Sequence, residues 1–185
     1  MQDIEIIKND LKKTLTKFRY KHSLKVADEA KKLAKHYNYD EKKAYLAGLI
    51  HDIAKDLTEE ENYNWIKKYH LPQELLNTEN TNLRHADIGA ILAKEKYHLE
   101  NDICKAIQYH TIGNKEMDLL AKIVFIADKI ARDDLPEGLK QVKKLAYQEN
   151  NIDIALKHCL VCQENHLKEK GINIHQETKQ LLDIL

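Results

Sequence analysis

Valine, proline, glycine and cysteine are scarce in this chain of 185 residues, with four, two, five and three copies. Few valines beside many Leu, Ile, Ala, Lys and Glu argue against sheet and for helix. The five glycines are scattered, so neither a Walker-type loop nor a GxGxxG turn exists to cradle phosphate. Cys104, Cys159 and Cys162 form an odd set with no disulfide framework, and a reducing cytoplasmic location is expected. No run approaches the ~20 apolar residues that span a bilayer. The charged start Met1-Gln2-Asp3-Ile4-Glu5 does not read as a secretory leader. Thirty basic and thirty acidic residues cancel, which removes any global electrostatic case for nucleic-acid or membrane partners.

What is present is helical periodicity almost from end to end. Asp3 opens a first amphipathic segment to about Leu15, and a second runs from Lys17 to His36 with Leu24, Ala27, Ala30, Leu33 and Ala34 inward. Asp40 reads as the N-cap of the next helix, and Thr58-Glu59-Glu60-Glu61 as a capping box for one that stops before Leu71-Pro72. Asn77 to Asn82 reads as a polar turn, with helix resuming near His85 to Tyr97 and again from Asn101 to His110. Gly113-Asn114 breaks that pattern. Met117 to Ile130 reads as the most buried helix, Ile152 to Lys170 as the longest of the tail, and Gly171 as its C′ stop. The expected architecture is all-α: one domain over 1–185, with a core of about 17–135 and C-terminal helices over 138–185 packing on it.

The densest chemistry lies in Gly48-Leu49-Ile50-His51-Asp52-Ile53-Ala54-Lys55. Read as one continuous helix, Ala44, Ala47, His51 and Ala54 share a stripe, with Asp52 beside it. An imidazole and a carboxylate buried among small apolar neighbours need a partner. A His-Asp hydrogen bond would supply one; so would a bound cation, since both are divalent-metal donors. His22, His85 and His110 also fall on inward faces, and Asp128 interrupts the apolar run Val124-Phe125-Ile126-Ala127. Each alone reads as a hydrogen-bonded core residue, and Asp128 could pair with Lys129 or Arg132. Together, five helices each contribute an inward His or Asp, the way helical bundles build metal sites.

The ordered series His22 … His51-Asp52 … Asp128 resembles the signature of the HD-domain metal-dependent phosphohydrolases. Arg19-Tyr20-Lys21-His22-Ser23, His51-Asp52-Ile53-Ala54-Lys55, Arg84-His85-Ala86, His110-Thr111-Ile112-Gly113 and Ala127-Asp128-Lys129-Ile130 further resemble its YqeK branch. Members of that branch split diadenosine tetraphosphate symmetrically into two ADP. The resemblance spans about 18 to 176, most of the chain. It implies an HD-domain helical bundle with His22, His51, Asp52 and Asp128 as ligands of a divalent metal, iron first, with manganese or zinc tolerated by the same donors. Asp52, His85 and His110 would hold a second ion, or His85 and His110 would serve as acids on the leaving ADP.

The resemblance further points catalysis at Asp52, His85 and His110. Lys55, three residues after Asp52, joins them by helical spacing as a group able to reach the same phosphate, and Lys25, three after His22, is a second such candidate. Contacts to a dinucleoside polyphosphate fall on His22, Lys25, Asp52, Lys55, His85, His110, Thr111 and Asp128, and near the C-terminus on Ile174 and His175. A homodimer is a further expectation from it. In such a site the metal lowers the pKa of bound water toward ~7 and supplies hydroxide to phosphorus, while cationic side chains neutralise the equatorial oxygens. Another HD phosphohydrolase, a nucleotidase or a (p)ppGpp-type enzyme, is the nearest rival, and a non-catalytic nucleotide-binding regulator a more distant one. The sequence departs from the branch after Ile130: relatives commonly carry Glu-Pro and then arginine, whereas this chain reads Ala131-Arg132-Asp133-Asp134, with Asp134 in the arginine's place. Cys159-Leu160-Val161-Cys162, with His166, lacks a second cysteine pair and reads as core packing. His36, His70, His98 and His158 read as surface residues.

Overall fold

Polar caps cut the chain into helices where the sequence places them. In the computed structural model, which describes residues 3–76 and 81–185, Asp3 caps α1 (Ile4–Thr14), Thr16 caps α2 (Lys17–His36) and Asp40 caps α3 (Glu41–Ile50) with bonds from two backbone amides. Thr58 and Glu61 complete a reciprocal capping box at α4 (Glu59–Lys68), satisfying two amides that a helix start otherwise leaves open. A 3-10 turn, Gln73–Leu76, leads toward α5 (Thr81–Tyr97). Then come α6 (Asn101–Tyr109), α7 (Leu119–Ile130), α8 (Glu137–Gln148), α9 (Ile152–Glu169) and α10 (Gln176–Ile184). Gly171, at φ +70°, ends α9 as expected. No strand occurs among the described residues.

Four expectations change. The helical run through His51-Asp52 stops at Ile50, and residues 51–56 form tight turns closed by Ile53 N–H to Ile50 O and Lys55 N–H to Asp52 O. The expected turn over Asn77–Asn82 lies outside the described residues for 77–80, and helix has already begun at Thr81. Arg84 is buried there and pairs with Glu59 of α4, an anchor that a turn ending at residue 82 leaves out of account. Leu24, assigned to the core, is only half-buried, and His158 is half-buried instead of exposed.

α7 is buried almost all round, with Phe125, Leu120, Ile123, Ile126 and Ile130 fully enclosed. Helices α2, α3 and α6 pack round it, and the C-terminal α9 covers another side. The α2–α3 crossing is made close by Ala27, Ala30, Ala44, Ala47 and Gly48, all buried. A Cβ on Gly48 would lie 3.0 Å from both Ala27 Cα and Val26 O, backbone atoms of α2 that cannot rotate away. Gly48→Ala is therefore expected to cost about 2 kcal/mol, as overpacking does. For a chain of this length that is a fall of about 4–8 °C in Tm, readable by thermal denaturation. The same contact sets the spacing of His22 and His51, whose ring centroids are 5.3 Å apart.

Candidate metal and phosphate centre

His22 on α2, His51 and Asp52 just past α3, His85 on α5, His110 at the end of α6 and Asp128 on α7 meet at one place. His51, Asp52, His85, His110 and Asp128 are buried, and His22 is half-buried. Asp52 is the hub. One carboxylate oxygen is 3.4 Å from His51 Nε2 and 3.9 Å from His22 Nε2; the other is 3.3 Å from His85 Nε2 and 3.7 Å from His110 Nε2. Asp128 Oδ1 lies 2.9 Å from His22 Nε2 and 3.5 Å from His51 Nε2.

Local backbone orients these rings. His51 Nδ1–H donates to Gly48 O at 2.7 Å, and His110 Nδ1–H donates to Ile107 O at 2.6 Å, so both rings aim Nε2 inward. Both bonds form because the rings fold back over the last turn of their own helices. His51 Nε2 is buried without an aligned hydrogen-bond partner, between two carboxylates. An orphaned inward nitrogen flanked by anions is the environment a divalent cation satisfies. Donor atoms of His22, His51 and Asp128 lie within 4.8 Å of one another, as do those of His51, Asp52 and His110. The residues fit a metal.

The charges respond to this crowding. Burial alone would raise the Asp52 carboxyl, but His51 and the hydrogen bonds from His110, His51 and His85 hold it well below the ordinary carboxylate range. Asp128 is likewise held down, by Lys129, His22 and His51 against its burial. Burial works to lower the His51 imidazole, yet Asp52 and Asp128 push it up to about 10. Burial wins at His85, which falls to about 4 and is neutral near pH 7. Burial also lowers Lys55, whose Nζ lies 3.2 Å from His85 Nδ1.

The cluster forms the floor of a cavity of about 1070 Å³. Lys25, Lys55 and Thr111 line it, but Lys25 Nζ is already 2.6 Å from both oxygens of Asp133. Lys55 gets there by the tight turn rather than by a helical i, i+3 step. His175 lines a neighbouring cavity that meets this one at Thr111, and Ile174 lines neither. The turn bearing His110 and Thr111 is tied down from the tail: Gln163 donates to Thr111 O and Thr178 to Ile112 O.

Two cations were overlooked as site residues in the sequence. Arg19 donates to Asp52 at 2.7 Å, and Lys129 Nζ is 2.6 Å from Asp128 and 3.4 Å from the His110 carbonyl. Arg19 was legible: it stands three residues before His22, hence on the same helix face. Lys129 is adjacent to Asp128 and reaches it only by curling back, which no periodicity reveals. Cys159 and Cys162 are both free thiols, and burial pushes the Cys159 thiol up to about 12, so it remains an unreactive core group.

The HD domain family model matches residues 19–133, the stretch from Arg19 through Asp133. A Staphylococcus aureus protein named "Bis(5'-nucleosyl)-tetraphosphatase, symmetrical" is 30% identical over 98% of this chain and 93% of its own length. A Bacillus subtilis protein of the same name is 37% identical over 76% of each. Among solved structures, a Clostridium acetobutylicum protein described as a "predicted HD superfamily hydrolase involved in NAD metabolism" superposes with a TM-score of 0.87 at 32% identity, covering 99% of this chain and 96% of that one.

Proposed function

The chain belongs to the HD domain family, and from that premise we infer that it hydrolyses diadenosine tetraphosphate and related dinucleoside polyphosphates symmetrically into two ADP. The observation that carries the reading is the convergence of four imidazoles and two carboxylates at the floor of a cation-lined cavity. His22, His51, Asp52 and Asp128 would hold a divalent cation. When bound, that cation supplies Lewis acidity and a water acidic enough to act as nucleophile near neutral pH. We propose iron, on a donor set of imidazoles and carboxylates without thiolate. Elemental analysis of protein isolated without added metal separates iron from zinc and manganese.

The chain's own groups account for the rest. In the hydrolysis, a water oxygen bonds to one inner phosphorus as the bond from that phosphorus to the central bridging oxygen breaks. One ADP carries the new oxygen, and the other leaves with the bridge. Arg19, Lys55 and Lys129 stand where the inner phosphates would lie and neutralise their equatorial oxygens. Because His110 Nδ1–H is committed to Ile107 O and burial keeps that ring neutral, its Nε2, 3.1 Å from His85 Nε2, can only accept. His85 then carries its proton on Nε2, and its Nδ1 accepts from Lys55 Nζ at 3.2 Å. This order of donors favours His85 as a proton donor to the departing bridge oxygen, refilled from Lys55, over His85 as a second metal ligand. Water's displaced proton then restores the lysine through solvent.

Product analysis tests the reading. Anion-exchange chromatography after incubation with diadenosine tetraphosphate is expected to show ADP as the sole product. AMP with ATP would mean an asymmetrical cut, and no product would leave a nucleotide-binding regulator.

A further inference from the structure

The cavity extends well beyond the cluster on its floor. At about 1070 Å³ it is slightly larger than the pockets of about 300–1,000 Å³ that enclose small ligands. Part of its wall is the first two turns of α2, where Phe18, Lys21, His22 and Lys25 fall at i, i+3, i+4 and i+7 and share one side. Phe18 is 76% exposed, more than any other large apolar side chain among the described residues. The Arg19 guanidinium lies 5.9 Å from its ring. A lone exposed apolar side chain is ordinary on a protein surface. This one stands on the wall of the reaction cavity, about 6 Å along the helix axis from His22, with exposed Lys21 beside it.

A symmetrical substrate has the scissile bridge at its centre and a nucleobase at each end. With the inner phosphates over His22, Asp52 and Asp128, the two nucleoside arms must leave the cluster in different directions. We propose that one arm runs outward along α2 and that its base stacks on Phe18, with Lys21 against the outer phosphate. The proposal rests on the hydrolase reading above. Every nucleobase has a π-face, so such a platform accepts adenine and guanine alike. It also gives the enzyme a grip on the second nucleoside that a substrate with only one cannot use.

The test compares diadenosine tetraphosphate with adenosine 5′-tetraphosphate, which on this proposal seats its single base at the other end of the cavity. Phe18→Ala is expected to raise KM for the dinucleoside about ten-fold with kcat within about two-fold, and to leave the mononucleoside unchanged. Phe18→Trp is expected to preserve wild-type KM. The analogue with a methylene between its two inner phosphorus atoms gives a binding readout without turnover: its Kd, by calorimetry, is expected to rise about ten-fold in Phe18→Ala. If wild-type protein releases two ADP but Phe18→Ala shifts neither nucleotide, or both equally, the platform is refuted and the hydrolase reading stands. If wild-type protein releases no ADP, the hydrolase reading fails and the platform falls with it.

Discussion

Asp52→Asn is expected to lower turnover of diadenosine tetraphosphate about a thousand-fold or more and to strip most of the bound metal, with the fold intact. Among the described residues, Asp52 is the one side chain that touches Arg19, at 2.7 Å, and approaches all four imidazoles within 3.9 Å. The amide keeps the shape but loses the charge. It also turns one acceptor oxygen into a donor that faces other donors. A metal's charge stabilisation at a transferring phosphoryl group amounts to several kcal/mol, and each 1.36 kcal/mol is a factor of ten, so about 4 kcal/mol gives the stated loss. Steady-state release of ADP measures the rate, elemental analysis the metal, and thermal denaturation the fold. A variant with full activity and full metal content would overturn the assignment of Asp52 to the cation.

Metal uptake by chelator-treated protein is expected to release about one proton per ion near neutral pH, with affinity rising about ten-fold per pH unit. The proton comes from His51. Burial opposes its charge, but Asp52 and Asp128 raise its pKa from 6.5 to about 10, so the metal-free imidazole is cationic through neutrality. The site demands a positive charge at that nitrogen, and a metal ion competes with a proton to provide it. Because the folded pKa is raised, this group's contribution to metal-free stability is complete below about 6.5. It is lost as pH climbs through about 10. Calorimetric titration of metal in buffers of different ionisation enthalpy counts the protons. Uptake with no proton released, at an affinity independent of pH, would show that His51 is not displaced and lies outside the coordination sphere.

The reach of the sequence differs from helix to helix. α2 was legible in extent, because its small and apolar residues repeat at helical spacing and Asp40 opens the helix that follows; its own cap, Thr16, emerged only in the structure. The end of α3 was misread. Periodicity over Gly48 to Lys55 fits a helix, whereas the His51 ring bonds back to Gly48 O and tight turns follow. That difference shapes the candidate site, since the turns bring Lys55 Nζ to 3.2 Å from His85 Nδ1. Lys25 shows the opposite limit. Its sequence position suggests a phosphate ligand, and only the folded chain sets Asp133, 108 residues away, against its ammonium.

Residue chemistry by itself determined that this chain is helical and that a set of its imidazoles and carboxylates faces inward. Those features are local: a cap, a period of 3.6 and a polar group on an apolar face are all written within a few positions of one another. Tertiary structure alone decided which carboxylate is the hub, which cations reach it and where the cavity opens. These depend on how closely α2 and α3 approach at Gly48 and on which tail helix holds the His110 turn. Distances between side chains far apart in sequence are set by packing, and no local pattern records them.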